Sequence, residues 1–200
     1  LRVVKRVCKS LQIDDSKWPA KQIQWYINKE KDEGRRPEDA ETGDYFSEQM
    51  TNIYSEYQAL CNQESLVDFG ELLLRTYELI DGNEKILNHY RARFKHILVD
   101  EFQDTSITQY QLLQRLTYDW YDGDGRTVFF VGDPMQSIYR FRNAEVTLFM
   151  QAQTHGFGQL SLTPLQLTMN FRSKQGVVNW VNQTFAEIFP ETVDLTYGGV

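Results

Sequence analysis

The chain reads as an α/β protein with a parallel sheet and flanking helices, preceded by a largely helical segment. Three short apolar runs carry the prediction: Ile97-Leu98-Val99, Val128-Phe129-Phe130-Val131 and Leu165-Gln166-Leu167-Thr168-Met169. Each ends abruptly in polar residues, and helical spacing fills the interval between the first two. Length and β-branched content make Ile97–Val99 a buried parallel strand. Alternation of strand and helix places such strands in one sheet.

Upstream, residues 1–30 repeat apolar positions at helical spacing (Val4, Val7, Leu11, Trp25, Ile27), with a break near Trp18-Pro19. Gly34-Arg35-Arg36-Pro37 reads as a turn, and 38–43 as polar loop. Phe46, Met50, Ile53, Tyr57 and Leu60 predict a helix over 45–60. Another covers about 69–79 and stops near Asp81-Gly82-Asn83. Strand and helix alternate from about residue 84. A helix is expected over 106–116, with Asp104 as its cap. Tyr121-Asp122-Gly123-Asp124-Gly125 is a turn ahead of the second strand; it lacks the twelfth-position Glu of a calcium loop.

In open α/β sheets the chemistry gathers at the carboxyl ends of strands. The first run delivers Asp100 and Glu101, the second Gly132-Asp133-Pro134 and Gln136, the third Asn170-Phe171-Arg172. Phosphoryl transfer requires a metal carboxylate, a group that positions water, a γ-phosphate sensor and a guanidinium for transition-state charge. Asp100, Glu101, Gln136 and Arg172 supply those four types. An isolated Asp-Glu pair would read as a charged strand end going into a loop; the companions decide otherwise.

The stretches Asp100-Glu-Phe-Gln-Asp-Thr105, Gly132-Asp-Pro-Met-Gln-Ser-Ile-Tyr-Arg-Phe-Arg142 and Asn170-Phe-Arg-Ser173 resemble motifs II, III and IV of the UvrD/Rep helicases of superfamily 1, in order. Residues 160–173 lean towards the exonuclease V β-subunit (RecB/AddA-like) branch. Leu66-Val-Asp-Phe-Gly-Glu-Leu-Leu-Leu74 is similar to the family's Asp-Phe-Asp-Asp-Leu-Leu segment, with Gly70 and Glu71 as departures. The similarity runs to about residue 185.

This resemblance implies part of a RecA-like P-loop NTPase motor domain with an α-helical inserted subdomain. It also implies ATP and Mg²⁺ as cofactors, and single-stranded DNA as partner. The expected division is 1–66 for the inserted subdomain, 67–173 for the motor-domain half with the three motifs, and 174–200 for a helix and connection. Asp100 is the implied Mg²⁺ ligand. Glu101 is the implied catalytic base or water-orienting group and, with Asp100, an implied metal residue. Gln103 lies near the γ-phosphate, Gln136 senses it while its segment touches DNA, and Arg172 reaches it across the cleft. A guanidinium offers phosphate a rigid bidentate fork. Tyr139, Phe141 and Arg142 are the DNA contacts, with Phe141 favoured over Tyr139 for stacking. Asn143 stands where the family commonly has Gly, and Phe171 replaces the usual Tyr. Asp68 reads as structural.

Nothing here resembles Gly-x-x-x-x-Gly-Lys-Ser/Thr, the loop that cradles phosphates. The expectation is an internal fragment holding half an ATP site, completed by the remainder of the parent chain and inactive alone. The RecB/AddA lean adds nuclease-complex subunits as possible partners.

A net charge of −7 is unusual for a DNA-binding chain, but its distribution is uneven. Residues 1–36 hold ten Lys/Arg against five Asp/Glu, and the remainder eleven against twenty-three. The first segment is either a phosphate-binding face or a solvated helical surface. Cys8 and Cys61 show neither metal spacing nor a disulfide framework, which points to a reducing cytoplasm. Three scattered histidines argue against a zinc site. No apolar stretch approaches the ~20 residues of a membrane helix. Two other functions stay open: a non-catalytic module that keeps the fold, and an RNA helicase of the same superfamily.

Overall fold

Helix starts follow local capping chemistry. Asp44 accepts from the Ser47 N–H at 2.7 Å, and Ser47 Oγ accepts from the Asp44 N–H at 3.1 Å. That reciprocal box starts the long third helix. Asp68 does the same for the fourth, accepting from the Glu71 N–H at 2.7 Å. The computed structural model describes residues 1–138, 144–186 and 188. In chain order the elements are α1 (Arg2–Ser10), α2 (Ala20–Asp32), α3 (Tyr45–Gln63), α4 (Phe69–Asp81), α5 (Glu84–Arg93), β1 (His96–Val99), α6 (Ile107–Thr117), β2 (Thr127–Phe130), α7 (Val146–His155) and α8 (Gln175–Phe185). Short 3₁₀ turns follow at Pro37–Asp39, Phe102–Asp104 and Pro134–Gln136.

The described residues form two compact units: Leu1–Arg93 with Ser106–Leu116, and Phe94–Thr105 with 117–138 and 144–186. In the first, α1, α2 and α3 enclose a core of Val4, Val7, Cys8, Ile23, Ile27, Met50, Ile53, Tyr54, Tyr57 and Cys61. Each aliphatic side chain so buried contributes roughly 1.5–3 kcal/mol. Trp25, expected inside, is half exposed under Lys29; Ile23 and Ile27, four apart, hold the inward face instead. Trp18 at the helix break stacks on Phe46 with ring centroids 5.0 Å apart. Ile80, Leu87 and Leu116 join α4, α5 and α6 in a smaller cluster.

The second unit is built on a parallel pair, with Ile97 opposite Val128, Leu98 opposite Phe129 and Val99 opposite Phe130. One face is lined by Phe130, whose ring stacks on Phe102 at 4.0 Å and meets Phe157 edge-on at 5.0 Å. On the other face Leu98 is 68% exposed and Phe129 49%. The strand expected to be buried is therefore buried on one side, because the described residues supply a layer to one face alone.

The third run, Leu165–Met169, forms no strand. Its Leu167 is 98% exposed. A strand needs a hydrogen-bonded neighbour, and no backbone partner for it occurs among the described residues.

Candidate functional site

At the end of β1 the ladder skips two residues. Val131 N–H donates to Val99 O at 2.8 Å, and Phe102 N–H donates to Val131 O at 2.9 Å. Asp100 and Glu101 lie between these bonds and are pushed out into solvent. Glu101 takes a left-handed backbone, φ 52° and ψ 41°, which costs a non-glycine residue about 1 kcal/mol. Asp100 Oδ1 accepts from the Glu101 N–H at 3.0 Å, fixing the turn. The second oxygen of Asp100 and the Glu101 carboxylate are exposed.

These are hard oxygen donors of the kind Mg²⁺ accepts. That ion keeps most of its water and takes one or two carboxylates beside substrate phosphate. Among the described residues no group of three His, Cys, Asp or Glu side chains gathers into a closed metal cage. The open Asp100–Glu101 pair fits Mg²⁺ held through water with phosphate; it does not fit a structural zinc.

The end of β2 is tied to the end of β1. Gln103 is 5% exposed. Its Oε1 accepts from the Asp133 N–H at 3.1 Å, so the amide expected beside phosphate is engaged by backbone. Gly132 is required there: a Cβ would lie 2.5 Å from Gln103 Oε1 and 2.9 Å from the Phe149 ring. Asp133 shapes the loop, accepting from the Met135 N–H at 3.0 Å and the Gln136 amide at 2.8 Å. Gln136 is otherwise exposed.

Asp104 does not cap α6, contrary to the sequence reading. Its Oδ1 accepts from Ser137 Oγ at 3.1 Å. The cap is the reciprocal pair Ser106 and Gln109: Gln109 Oε1 accepts from the Ser106 N–H at 2.9 Å, and Ser106 Oγ from the Gln109 N–H. Ser106 sits two residues closer to the helix, where a short hydroxyl reaches the third N–H.

Arg172 is exposed on a turn made by Asn170, whose side-chain oxygen accepts from the N–H groups of Arg172 and Ser173 at 2.9 and 3.0 Å. No hydrogen bond or ion pair joins Arg172 to Asp100, Glu101 or Gln136 among the described residues. Tyr139, Phe141 and Arg142 lie outside the described residues.

Part of the basic first segment is committed to ion pairs. Lys31 is fully buried and pairs with Asp68 at 2.7 Å and Glu71 at 2.9 Å. Arg36 bridges Glu71 and Glu78 at 2.9 and 2.6 Å, and Arg35 pairs with Glu30 and Glu33. Burial works to raise the Glu71 carboxyl, yet hydrogen bonds from Arg75, Lys31 and Arg36 outweigh it and bring it down to about 2. Burial likewise opposes ionisation of Asp68, but Lys31 and Tyr57 hold it below the ordinary carboxylate range. Arg2, Lys5, Lys9, Lys17 and Lys21 are exposed without an ion pair among the described residues.

Sequence reasoning placed Asp68 correctly as structural, and missed Lys31 and Glu71. The available signal was Gly70: a Cβ there would sit 3.3 Å from the Lys31 stem, so glycine lets α2 and α4 approach.

The UvrD/REP helicase N-terminal domain model matches residues 1–156. DNA helicase II of Escherichia coli (strain K12) is 40% identical over 183 residues, 91% of this chain and 24% of that protein. The probable DNA helicase II homolog of Rickettsia conorii (strain ATCC VR-613 / Malish 7) is 34% identical over 176 residues, 86% of this chain and 26% of its own length. ATP-dependent DNA helicase PcrA of Bacillus subtilis (strain 168) is 29% identical over 185 residues, 92% and 24%. The chain thus spans about a quarter of the length of the curated relatives it matches.

Proposed function

The chain belongs to the UvrD/REP helicase N-terminal domain family, and from that premise we propose that it is part of an ATP-dependent DNA helicase or translocase. The parent protein couples ATP hydrolysis to movement along single-stranded DNA, in the cytoplasm and in the service of DNA repair or recombination. Residues 67–173 contribute to a RecA-like motor domain, 1–66 are an inserted helical subdomain, and 174–200 lead onward. The remainder of the parent chain supplies the phosphate-cradling loop and the second motor domain.

One observation carries the reading: the ejection of Asp100 and Glu101 from the β1–β2 ladder onto an open, solvent-facing turn. A strained turn that exposes two adjacent carboxylates is hard to explain as scaffold. Asp100 would hold Mg²⁺, which would supply charge neutralisation for the phosphates. Glu101 orients and deprotonates the attacking water. Gln136 senses the γ-phosphate, Arg172 contacts it across the cleft, and Gln103 lies near it. Tyr139, Phe141 and Arg142 meet the strand. The names of the relatives support DNA over RNA as the track. The lean of residues 160–173 towards the RecB/AddA branch draws no support from those relatives, and nuclease subunits rest on that stretch alone.

The deciding experiment is the ATPase rate of the full-length parent with and without single-stranded DNA, beside its Glu101→Gln variant. Strong stimulation that disappears in the variant, while nucleotide binding persists, supports the motor. No hydrolysis in the wild-type protein would leave a fold kept for binding.

A further inference from the structure

We propose that the cleft between α3 and α4 is a binding site for an unpaired nucleobase, with Gln58 as the side chain that receives it. The inference rests on the reading above that single-stranded DNA is the partner, and adds a contact within the helical unit.

The cleft lies in the first unit and has a volume of about 870 Å³, within the range of small-ligand sites. Pro37, Ala59 and Leu79 give it an apolar wall, and Gln58, Asn62 and Arg75 its polar groups. Gln58 is 8% exposed, and its Oε1 has no hydrogen-bond partner among the described residues. Its neighbours fix which way that amide faces. Arg75 Nη2 donates to Asn62 Oδ1 at 3.0 Å, so the atom that Asn62 presents is an oxygen. Gln58 meets that oxygen with its Nε2 at 3.3 Å. Turning the Gln58 amide over would set two oxygens against each other. The orphan is therefore an acceptor, and a buried acceptor left unpaired is costly.

What the cleft lacks is a neutral donor. Its guanidinium groups are already matched: Arg36 bridges Glu71 and Glu78, and Arg75 pairs with Glu71. A phosphate or carboxylate entering here would have to displace an internal carboxylate, and Glu38 in the lining repels it further. A nucleobase supplies the missing group without charge. Each of the four DNA bases carries an N–H on its Watson–Crick edge, and its flat faces suit the wall of Pro37 and Leu79. Pairing conceals that edge in a duplex and leaves it free in a single strand, so the site selects an unpaired base whatever its identity. The bond that holds the Gln58 amide is long, and the side chain swings to meet the base. A peptide N–H would satisfy the same oxygen; the DNA partner of the proposed function favours the base.

The test uses the full-length parent protein and a single-stranded oligonucleotide carrying 5-iododeoxyuridine. Ultraviolet crosslinking to the wild-type protein, mapped by mass spectrometry, is expected to modify peptides of α3 and α4 that line the cleft. Gln58→Leu removes the acceptor and keeps the bulk of the side chain. Its affinity for the single strand, read by fluorescence anisotropy, should fall roughly three- to ten-fold, the loss of one hydrogen bond between neutral groups. Affinity for a blunt duplex of equal length should stay within about two-fold. The melting temperature should hold or rise, because an unpaired buried acceptor is gone. Absence of any crosslink on α3 and α4 overturns the inference, whether or not the variant folds. Unchanged single-strand affinity in a folded Gln58→Leu protein overturns it too and leaves the cleft to a peptide, as does an equal loss on strand and duplex. A wild-type protein that binds no single strand removes the DNA partner itself and this inference with it; the wild-type affinity separates the two failures.

Discussion

Lys31 Nζ lies 2.7 Å from Asp68 Oδ2, with none of the lysine side chain exposed. Tyr57 donates its hydroxyl to the same carboxylate oxygen at 2.7 Å, and the Lys31 ammonium sits 5.2 Å from the Tyr57 ring centroid. The pair joins α2 to the start of α4, and Glu71 extends it to Arg36 and Arg75.

Removing one partner of a buried ion pair strands the other, at a cost of about 3–5 kcal/mol. Lys31→Met should therefore destabilise the helical unit by about that amount despite similar side-chain volume. Urea denaturation followed by helical circular dichroism measures it; a change under 1 kcal/mol would show the network to be dispensable.

Glu71 also predicts a pH dependence. Its folded carboxyl is held at about 2 against an ordinary 4.5, so the native state binds fewer protons than the unfolded chain in that window. Its stabilisation is full above pH 4.5 and declines as pH falls towards 2. Unfolding free energies of wild type and Glu71→Gln should differ most at neutral pH and converge on acidification. Parallel curves from pH 7 to 3 would refute the assignment.

Gly132→Ala places a methyl 2.5 Å from Gln103 Oε1 and 2.9 Å from Phe149. Overpacking of this kind costs typically about 1–3 kcal/mol. A lowered melting temperature is expected, with loss of the Gln103–Asp133 bond visible as faster amide exchange at Asp133. Wild-type exchange at that amide would contradict the geometry.

Phe141 is proposed as the stacking residue. Base–aromatic stacking contributes about 1–3 kcal/mol per base, so Phe141→Ala in the parent protein should weaken single-strand binding by roughly ten-fold or more. DNA-stimulated ATPase should fall further than the basal rate. Equal losses in both would argue for a packing role.

Cys8 and Cys61 are buried free thiols. Burial raises both thiol pKa values, with Asp15 adding to the effect at Cys8. Neither should react with iodoacetamide at neutral pH until the helical unit unfolds, because the thiolate is the nucleophile. Mass spectrometry of labelled native and urea-treated protein reads this directly; rapid native labelling would place a thiol at the surface.

The periodic helices were legible in the sequence because their signal is local. Met50, Ile53 and Tyr57 recur at one face of α3 and are buried there, and Asp68 heads α4 as a cap. The two strand ends were legible for the same reason, since an apolar run that stops at Asp100 or Gly132 is complete within a few residues. Their motif order sufficed to point to a helicase family. The third run was misread because a strand exists through its neighbour: Leu165–Met169 has the composition of one and no ladder partner among the described residues.

What the tertiary structure alone decided were the contacts between segments distant in sequence. Nothing local told that Lys31 would be buried 37 residues from Asp68, or that Arg36 would bridge Glu71 and Glu78. Nothing local told that Asp104 would bind Ser137, 33 residues on, in preference to the helix beside it. A side chain's short-range options can be read from its neighbours, but which one it takes depends on what the fold brings within 3 Å. Burial and pairing are properties of the packed chain, and so is the left-handed turn that sets Glu101 in solvent.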